Sequence, residues 1–174
     1  MNDAENIHSS NSPIFLVGFM GAGKTTVGRA LADQLGYKFI DLDDVIAAQT
    51  GKSVQQIFLE LGEPEFRRIE TETIRSCRNL FSSVIALGGG AYVSQENRDL
   101  LRGIGATVWL DCPVEVCLAR IKGNQSRPLL GDEDAMRTLL ENRHASYSLA
   151  DLRIDSSKLS PDTLAKEIVR LLLE

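Results

Sequence analysis

The sequence predicts a single α/β domain built on a parallel sheet covered by helices on both faces, and three observations lead there. Five short β-rich runs alternate with helical patterns. A glycine-rich phosphate-binding motif sits where the first run meets the first helix. The chain has 174 residues, 43% hydrophobic and 25% charged, which is the size and composition of one globular unit.

The β-rich runs are residues 14–18, 38–42, 83–87, 107–110 and 152–155. After the first, Val27, Leu31 and Leu35 recur every four residues beside Ala30, so one helical face is apolar until Gly36 ends the pattern. Ser53 and Gln56 form a capping box that opens a short helix carrying Ile57 and Phe58. Pro64 starts a third helix, in which Phe66, Ile69, Thr73 and Cys77 share a face. Later helix starts fall at Ser94, at Pro113 in a first turn, and at Ser160-Pro161, a cap residue before an N1 proline. Alternation at these lengths leaves a crossover helix between successive strands, hence a parallel sheet.

Composition excludes several classes. Nineteen Lys and Arg against 24 Asp and Glu leave a net charge of −5, so non-specific binding to nucleic acid or to an anionic membrane is not expected. No apolar run approaches a membrane span. Cys77, Cys112 and Cys117 are odd in number and follow no metal-like spacing, which points to reduced thiols in the cytoplasm. Residues 1–12 are polar, with neither an apolar core nor an arginine, and are expected to be a flexible tail preceding one domain at 13–174.

Gly18-Phe19-Met20-Gly21-Ala22-Gly23-Lys24-Thr25 satisfies G-x-x-x-x-G-K-[ST] at every fixed position, between a strand and a helix. In that context backbone N–H groups and the positive end of the helix converge on one anion. Lys24 is expected on the β- and γ-phosphates of a nucleotide and the Thr25 hydroxyl on Mg²⁺. Asp41 and Asp43 follow the second strand two residues apart, which puts both on one side of an extended chain. One carboxylate near a metal and one near an acceptor hydroxyl would suit phosphoryl transfer; alternatively, Asp43 or Asp44 caps the next helix. Gly88-Gly89-Gly90 after the third strand reads either as bare backbone for a ligand or as a tight turn. All three features lie at carboxyl ends of strands, where open α/β sheets bind ligands.

Arginine outnumbers lysine 13 to 6, which favours bidentate recognition of carboxylate or phosphate. Arg67 with Glu70 at i+3 is either an oriented site arginine or an exposed helix pair. Arg127 lies in a segment, about 122–132, punctuated by Gly123, Pro128 and Gly131, which reads as a mobile lid or a disordered loop. His144 is expected on the surface and Trp109 in the core. A GTPase switch would need a guanine-reading N-K-x-D, which is absent, and the only D-x-x-G, at residues 33–36, ends the phosphate-loop helix. A kinase for another small acceptor, such as gluconate or a nucleotide, remains the other alternative.

Taken together, the phosphate loop through Gly28, the Asp41-Leu42-Asp43 pair, Gly62-Glu63-Pro64-Glu65-Phe66-Arg67-Arg68-Ile69-Glu70, Leu87-Gly88-Gly89-Gly90-Ala91 and Arg127-Pro128-Leu129-Leu130 resemble the signatures of the shikimate kinase family. The resemblance covers residues 13–174. It implies a P-loop NTPase fold with a five-stranded parallel sheet of order 2-3-1-4-5, a lid, and a substrate-binding region at about 43–70. It further implies Mg²⁺-dependent phosphorylation of shikimate by ATP, on the route to chorismate and aromatic amino acids, by a cytoplasmic monomer. By the same resemblance Asp43, Arg67, Gly88, Gly89, Gly90 and Arg143 bind shikimate, with Glu70 orienting Arg67. Gly21, Ala22, Gly23, Lys24, Thr25, Thr26, Arg120, Arg127 and Lys158 bind ATP, Arg120 near adenine and Lys158 in an adenine-side loop. Thr25 and Asp41 serve the metal, while Lys24, Asp43 and Arg127 are catalytic. One departure is visible: Ala145 stands where the family usually has proline, which implies a looser helix end around Arg143.

Phosphoryl transfer spreads negative charge over the moving group, and a cation delivered by lid closure stabilises that charge more than it stabilises bound ATP. Arg127→Ala is therefore expected to lower kcat at least a hundredfold, about 2.7 kcal/mol, with little change in shikimate affinity. Arg127→Lys should recover only part of this, because an ammonium lacks the planar fork. Single-turnover rates beside equilibrium binding of both ligands provide the measurement.

Overall fold

The computed structural model describes residues 11–122 and 133–173. Strand β1 (Ile14–Val17) leads through the phosphate loop into α1 (Lys24–Leu35). Next come β2 (Lys38–Asp41), α2 (Leu42–Thr50) and α3 (Val54–Ser76). After β3 (Ser83–Ala86) the chain forms α4 (Gln95–Arg102), then β4 (Ala106–Asp111), α5 (Val114–Lys122) and α6 (Glu133–Tyr147). It ends with β5 (Leu152–Asp155) and α7 (Pro161–Leu172). The five strands pair in parallel in the order β2-β3-β1-β4-β5, as expected. Ile14 is opposite both Val84 and Ala106, which places β1 at the centre.

Burial follows from that order. Every residue of β1 and β3 is buried, whereas the edge strands β2 and β5 keep exposed positions. On α1 the residues facing the sheet are Val27, Gly28, Leu31 and Ala32, and α7 packs beside it. Trp109 on β4 is buried, as expected, and His144 is exposed, meeting the Trp109 ring edge-on at 5.0 Å. All three cysteines are free and buried. No helix among the described residues is long and apolar enough to cross a membrane.

Most element starts fall where local chemistry puts them. Ser53 and Gln56 make the reciprocal capping box, and the Ser94 and Ser160 hydroxyls accept from the Asn97 and Thr163 N–H groups. Pro113 lies one residue outside α5, its carbonyl accepting from Val116 and Cys117. The two helices expected around Gly62 form one span with a break there, at φ 83° and ψ 167°. A side chain would strain that conformation, so the glycine turns the chain between Leu61 and Glu63.

Gly28 lets α1 approach the sheet. A Cβ on it would stand 2.4 Å from Phe39 Cε2 and 3.1 Å from Leu16 Cδ1. Phe39 is half-buried and has some room to give, but Leu16 is fully buried beneath it. Gly28→Ala is expected to destabilise the fold by about 1–3 kcal/mol through overpacking, read as a lower urea midpoint with an unchanged m-value.

Candidate active site

The phosphate loop is made by three glycines in the left-handed half of backbone space. Gly18, Gly21 and Gly23 have φ of 141°, 78° and 99°. Two are also sterically required, since a Cβ would stand 2.7 Å from the Leu110 carbonyl oxygen at Gly18 and 2.6 Å from that of Cys117 at Gly21. Gly23 is the cap of α1, whose free N–H groups open toward the loop.

Behind the loop, its carbonyls are held by polar side chains. Ser156 Oγ donates to the Ala22 carbonyl at 2.9 Å. Arg120 Nη1 reaches the Gly21 and Ala22 carbonyls, both at 3.3 Å, while Nη2 donates to the Ser156 carbonyl at 2.9 Å. Lys24 Nζ spans the loop itself, donating to the Gly18 and Phe19 carbonyls at 2.8 and 2.9 Å. Thr26 is exposed in the first turn of α1. Lys158 is exposed beyond Ser156 and pairs with Asp155 at 3.3 Å.

Asp41 and Asp43 are not two side chains on one side of a strand. Asp41 ends β2 and caps α2, its Oδ1 accepting from the Asp43 N–H at 3.1 Å and its Oδ2 from Thr25 Oγ1 at 3.3 Å. Helix therefore starts at Leu42, and the cap is Asp41 rather than Asp43 or Asp44. Beyond the capped turn, Asp43 reaches toward Gly88. A Cβ on Gly88 would stand 3.1 Å from Asp43 Oδ1 and 3.2 Å from Glu70 Oε1. One carboxylate thus serves the Thr25 side and the other a separate pocket.

The triple-glycine turn explains that pocket. None of Gly88, Gly89 and Gly90 has a positive φ, so the backbone path does not demand glycine. Close approach does. A Cβ on Gly90 would lie 2.5 Å from Arg67 Nη2, and one on Gly89 would lie 3.3 Å from Arg143 Nη1. The Gly89 position is also 3.6 Å from the Gly18 carbonyl oxygen and 3.7 Å from the Met20 nitrogen, at the phosphate loop.

Arg67 is an oriented arginine rather than a loose surface pair. Its Nη1 donates to Glu70 Oε2 at 2.9 Å, and its Nε and Nη2 donate to Glu63 Oε1 at 3.3 and 3.1 Å. Glu70 is buried, and its Oε1 has no hydrogen-bond partner among the described residues. Burial raises the Glu70 carboxyl above its ordinary value, outweighing the opposing hydrogen bond and charge of Arg67. Burial works to lower the Arg67 guanidinium, but the bonds and charges of Glu70 and Glu63 leave it raised. Arg143 is half-buried, with its guanidinium carbon 5.9 Å from the Phe19 ring centre. Ala145 lies within α6, and Ser148 N–H donates to the His144 carbonyl at 2.9 Å, so helical hydrogen bonding continues past the position where the family usually has proline. Arg127 lies outside the described residues.

A sequence model described as shikimate kinase matches residues 20–173. A shikimate kinase of Geobacter sulfurreducens is 42% identical over 172 residues, covering 97% of this chain and 95% of that protein. The chain belongs to the shikimate kinase family. Among solved structures, shikimate kinase from Acinetobacter baumannii in complex with shikimate superposes with a TM-score of 0.86 at 40% identity, covering 93% of each chain. Shikimate kinase from Bacteroides thetaiotaomicron gives 0.87 at 30% identity, covering 94% of this chain and 99% of that one. A deoxyadenosine kinase from M. mycoides, at 18% identity and a TM-score of 0.65, shares the fold alone.

Within this shikimate kinase fold, sequence reading missed three contributors: Glu63, Ser156 as a brace behind the phosphate loop, and Tyr147, whose hydroxyl donates to the Gly89 carbonyl. Glu63 had a signal, its i+4 spacing to Arg67. The other two stand in segments that the resemblance covers, but their partners lie across long sequence separations that no spacing reveals.

Glu70 makes a pH signature. Its folded pKa lies above the ordinary 4.5, so the folded state binds more protons than the unfolded state just above that pH. Wild-type stability therefore falls as pH rises from 4.5 through the folded pKa, and levels off beyond it. Relative to Glu70→Gln, which cannot titrate, the wild type is expected to lose ground across that window in urea titrations at stepped pH.

Proposed function

We propose that this chain transfers the γ-phosphoryl group of ATP to the 3-hydroxyl of shikimate, giving shikimate 3-phosphate and ADP on the route to chorismate and the aromatic amino acids. One observation carries the reading. Arg67, Arg143 and Asp43 all reach the triple-glycine turn, and Gly89 of that turn also lies against the phosphate loop. A hydroxylated carboxylic acid fits such a site, with the two arginines on its carboxylate and Asp43 near a hydroxyl.

In this reaction the acceptor oxygen forms a bond to the γ-phosphorus, the bond to the β,γ-bridging oxygen breaks, and ADP carries away the bridging oxygen. Asp43 takes the hydroxyl proton. Gly21, Ala22, Gly23, Lys24, Thr25 and Thr26 cradle the phosphates, Lys24 with its Nζ already held along the loop by the Gly18 and Phe19 carbonyls. Arg120 and Lys158 flank the adenine side, and Arg127 is assigned to the transferring group. The Thr25 hydroxyl and Asp41 carboxylate, 3.3 Å apart, are the hard oxygen donors that suit Mg²⁺. When bound there, Mg²⁺ would offset charge on the β- and γ-phosphates. Glu70 keeps Arg67 at the turn, and Gly88, Gly89 and Gly90 leave room for the acceptor.

The test is an ADP-release assay with ATP, Mg²⁺ and a panel of shikimate, gluconate, nucleotides and other hydroxy acids, repeated with Arg67→Ala. Shikimate is expected to have the highest kcat/KM. Removing one charged partner of a desolvated pair costs about 2–5 kcal/mol, so Arg67→Ala should weaken shikimate binding more than tenfold with ATP affinity nearly unchanged. A much better acceptor elsewhere in the panel overturns the assignment.

A further inference from the structure

The backbone of Gly88, Gly89 and Gly90 poses a problem that glycine cannot solve. A planar trans peptide holds its C=O and N–H on opposite sides, so rotating the unit between Gly89 and Gly90 exchanges a donor for an acceptor at the pocket. Flanking glycines make that rotation cheap, because both backbone orientations are open to them. Hydrogen bonds from Ala91 N–H to the Gly88 carbonyl at 3.0 Å, and from Val93 N–H to the Gly90 carbonyl at 3.1 Å, hold the neighbouring units. The Gly89 carbonyl is held by something else, the Tyr147 hydroxyl at the end of α6.

Tyr147 is well suited to that task. It is fully buried, with its ring centre 6.0 Å from that of Trp109, so its hydroxyl is carried on a rigid stem. Burial raises its pKa, so it stays a donor at neutral pH. Arg143 stands one helical turn away, and its Nη1 lies 3.3 Å from the Cβ position of Gly89, so two side chains of one helix end meet the same residue of the turn.

We infer that Tyr147 is a positioning residue for acceptor binding: by donating to the Gly89 carbonyl, it fixes the Gly89–Gly90 peptide with its N–H turned the opposite way, beside the Arg143 guanidinium. The inference rests on the assignment of Gly89, Gly90 and Arg143 to the acceptor site. It adds a residue that acts on the acceptor through the backbone of the turn. The phosphate loop is built without it, so the effect belongs to one substrate.

The experiment is steady-state kinetics of full-length wild type and Tyr147→Phe, with shikimate and ATP varied separately and urea stability measured alongside. Phenylalanine keeps the ring against Trp109 and removes only the hydroxyl. Tyr147→Phe is expected to raise the KM for shikimate about tenfold, the scale of a lost hydrogen bond whose acceptor is left unpaired, with the KM for ATP within twofold. An unchanged shikimate KM in Tyr147→Phe overturns the inference, as does an equal rise for both substrates. A wild type that ignores shikimate fails the functional reading instead, and the Tyr147 comparison is then made with the acceptor it does use.

Discussion

Four charged side chains from three helices meet because three consecutive residues have none of their own. Asp43 on α2, Glu70 and Arg67 on α3, and Arg143 on α6 each approach the triple-glycine turn within 2.5 to 3.3 Å of where a Cβ would stand. A methyl group at Gly90 would push the Arg67 guanidinium away and leave the Glu70 carboxyl without its ion pair. A buried carboxylate stripped of its partner costs far more than an exposed one, so the glycines protect the electrostatics as well as the space. Two carboxylates and two guanidiniums at one turn also nearly balance in charge, which allows the cluster to be partly buried.

The same turn joins two pockets with different needs. On one side, the phosphate loop must show N–H groups to an anion, and its carbonyls have to be satisfied away from it. Arg120, Ser156 and Lys24 meet that need, with bonds of 2.8 to 3.3 Å to four loop carbonyls. On the other side, the acceptor pocket needs cations held in a fixed direction. Glu63 and Glu70 grip separate edges of the Arg67 fork, so its direction is set before any ligand arrives.

Fold and specificity separate cleanly here. The deoxyadenosine kinase shares the layered sheet and its crossovers at 18% identity, so the fold does not by itself set the acceptor. In this chain the groups that reach the acceptor side are carried by α2, α3, the triple-glycine turn and α6, and function resides in those residues rather than in the sheet.

The sequence by itself determined the strands, their parallel pairing, the phosphate loop and most helix starts. Each is decided within a few residues: alternation length, a Ser53–Gln56 capping box, a proline at N1, a left-handed glycine. It also marked every residue now found at the triple-glycine turn except Tyr147. Tertiary structure alone decided what those residues do. Asp41 and Asp43 part because helix begins at Leu42, and Arg67 is held by the buried Glu70 because α3 lies against Gly90. Ser156 finds Ala22 across 134 positions and Tyr147 finds Gly89 across 58. Such pairings are set by how strands and helices pack, and the direction of a hydrogen bond between them has no period or motif to announce it.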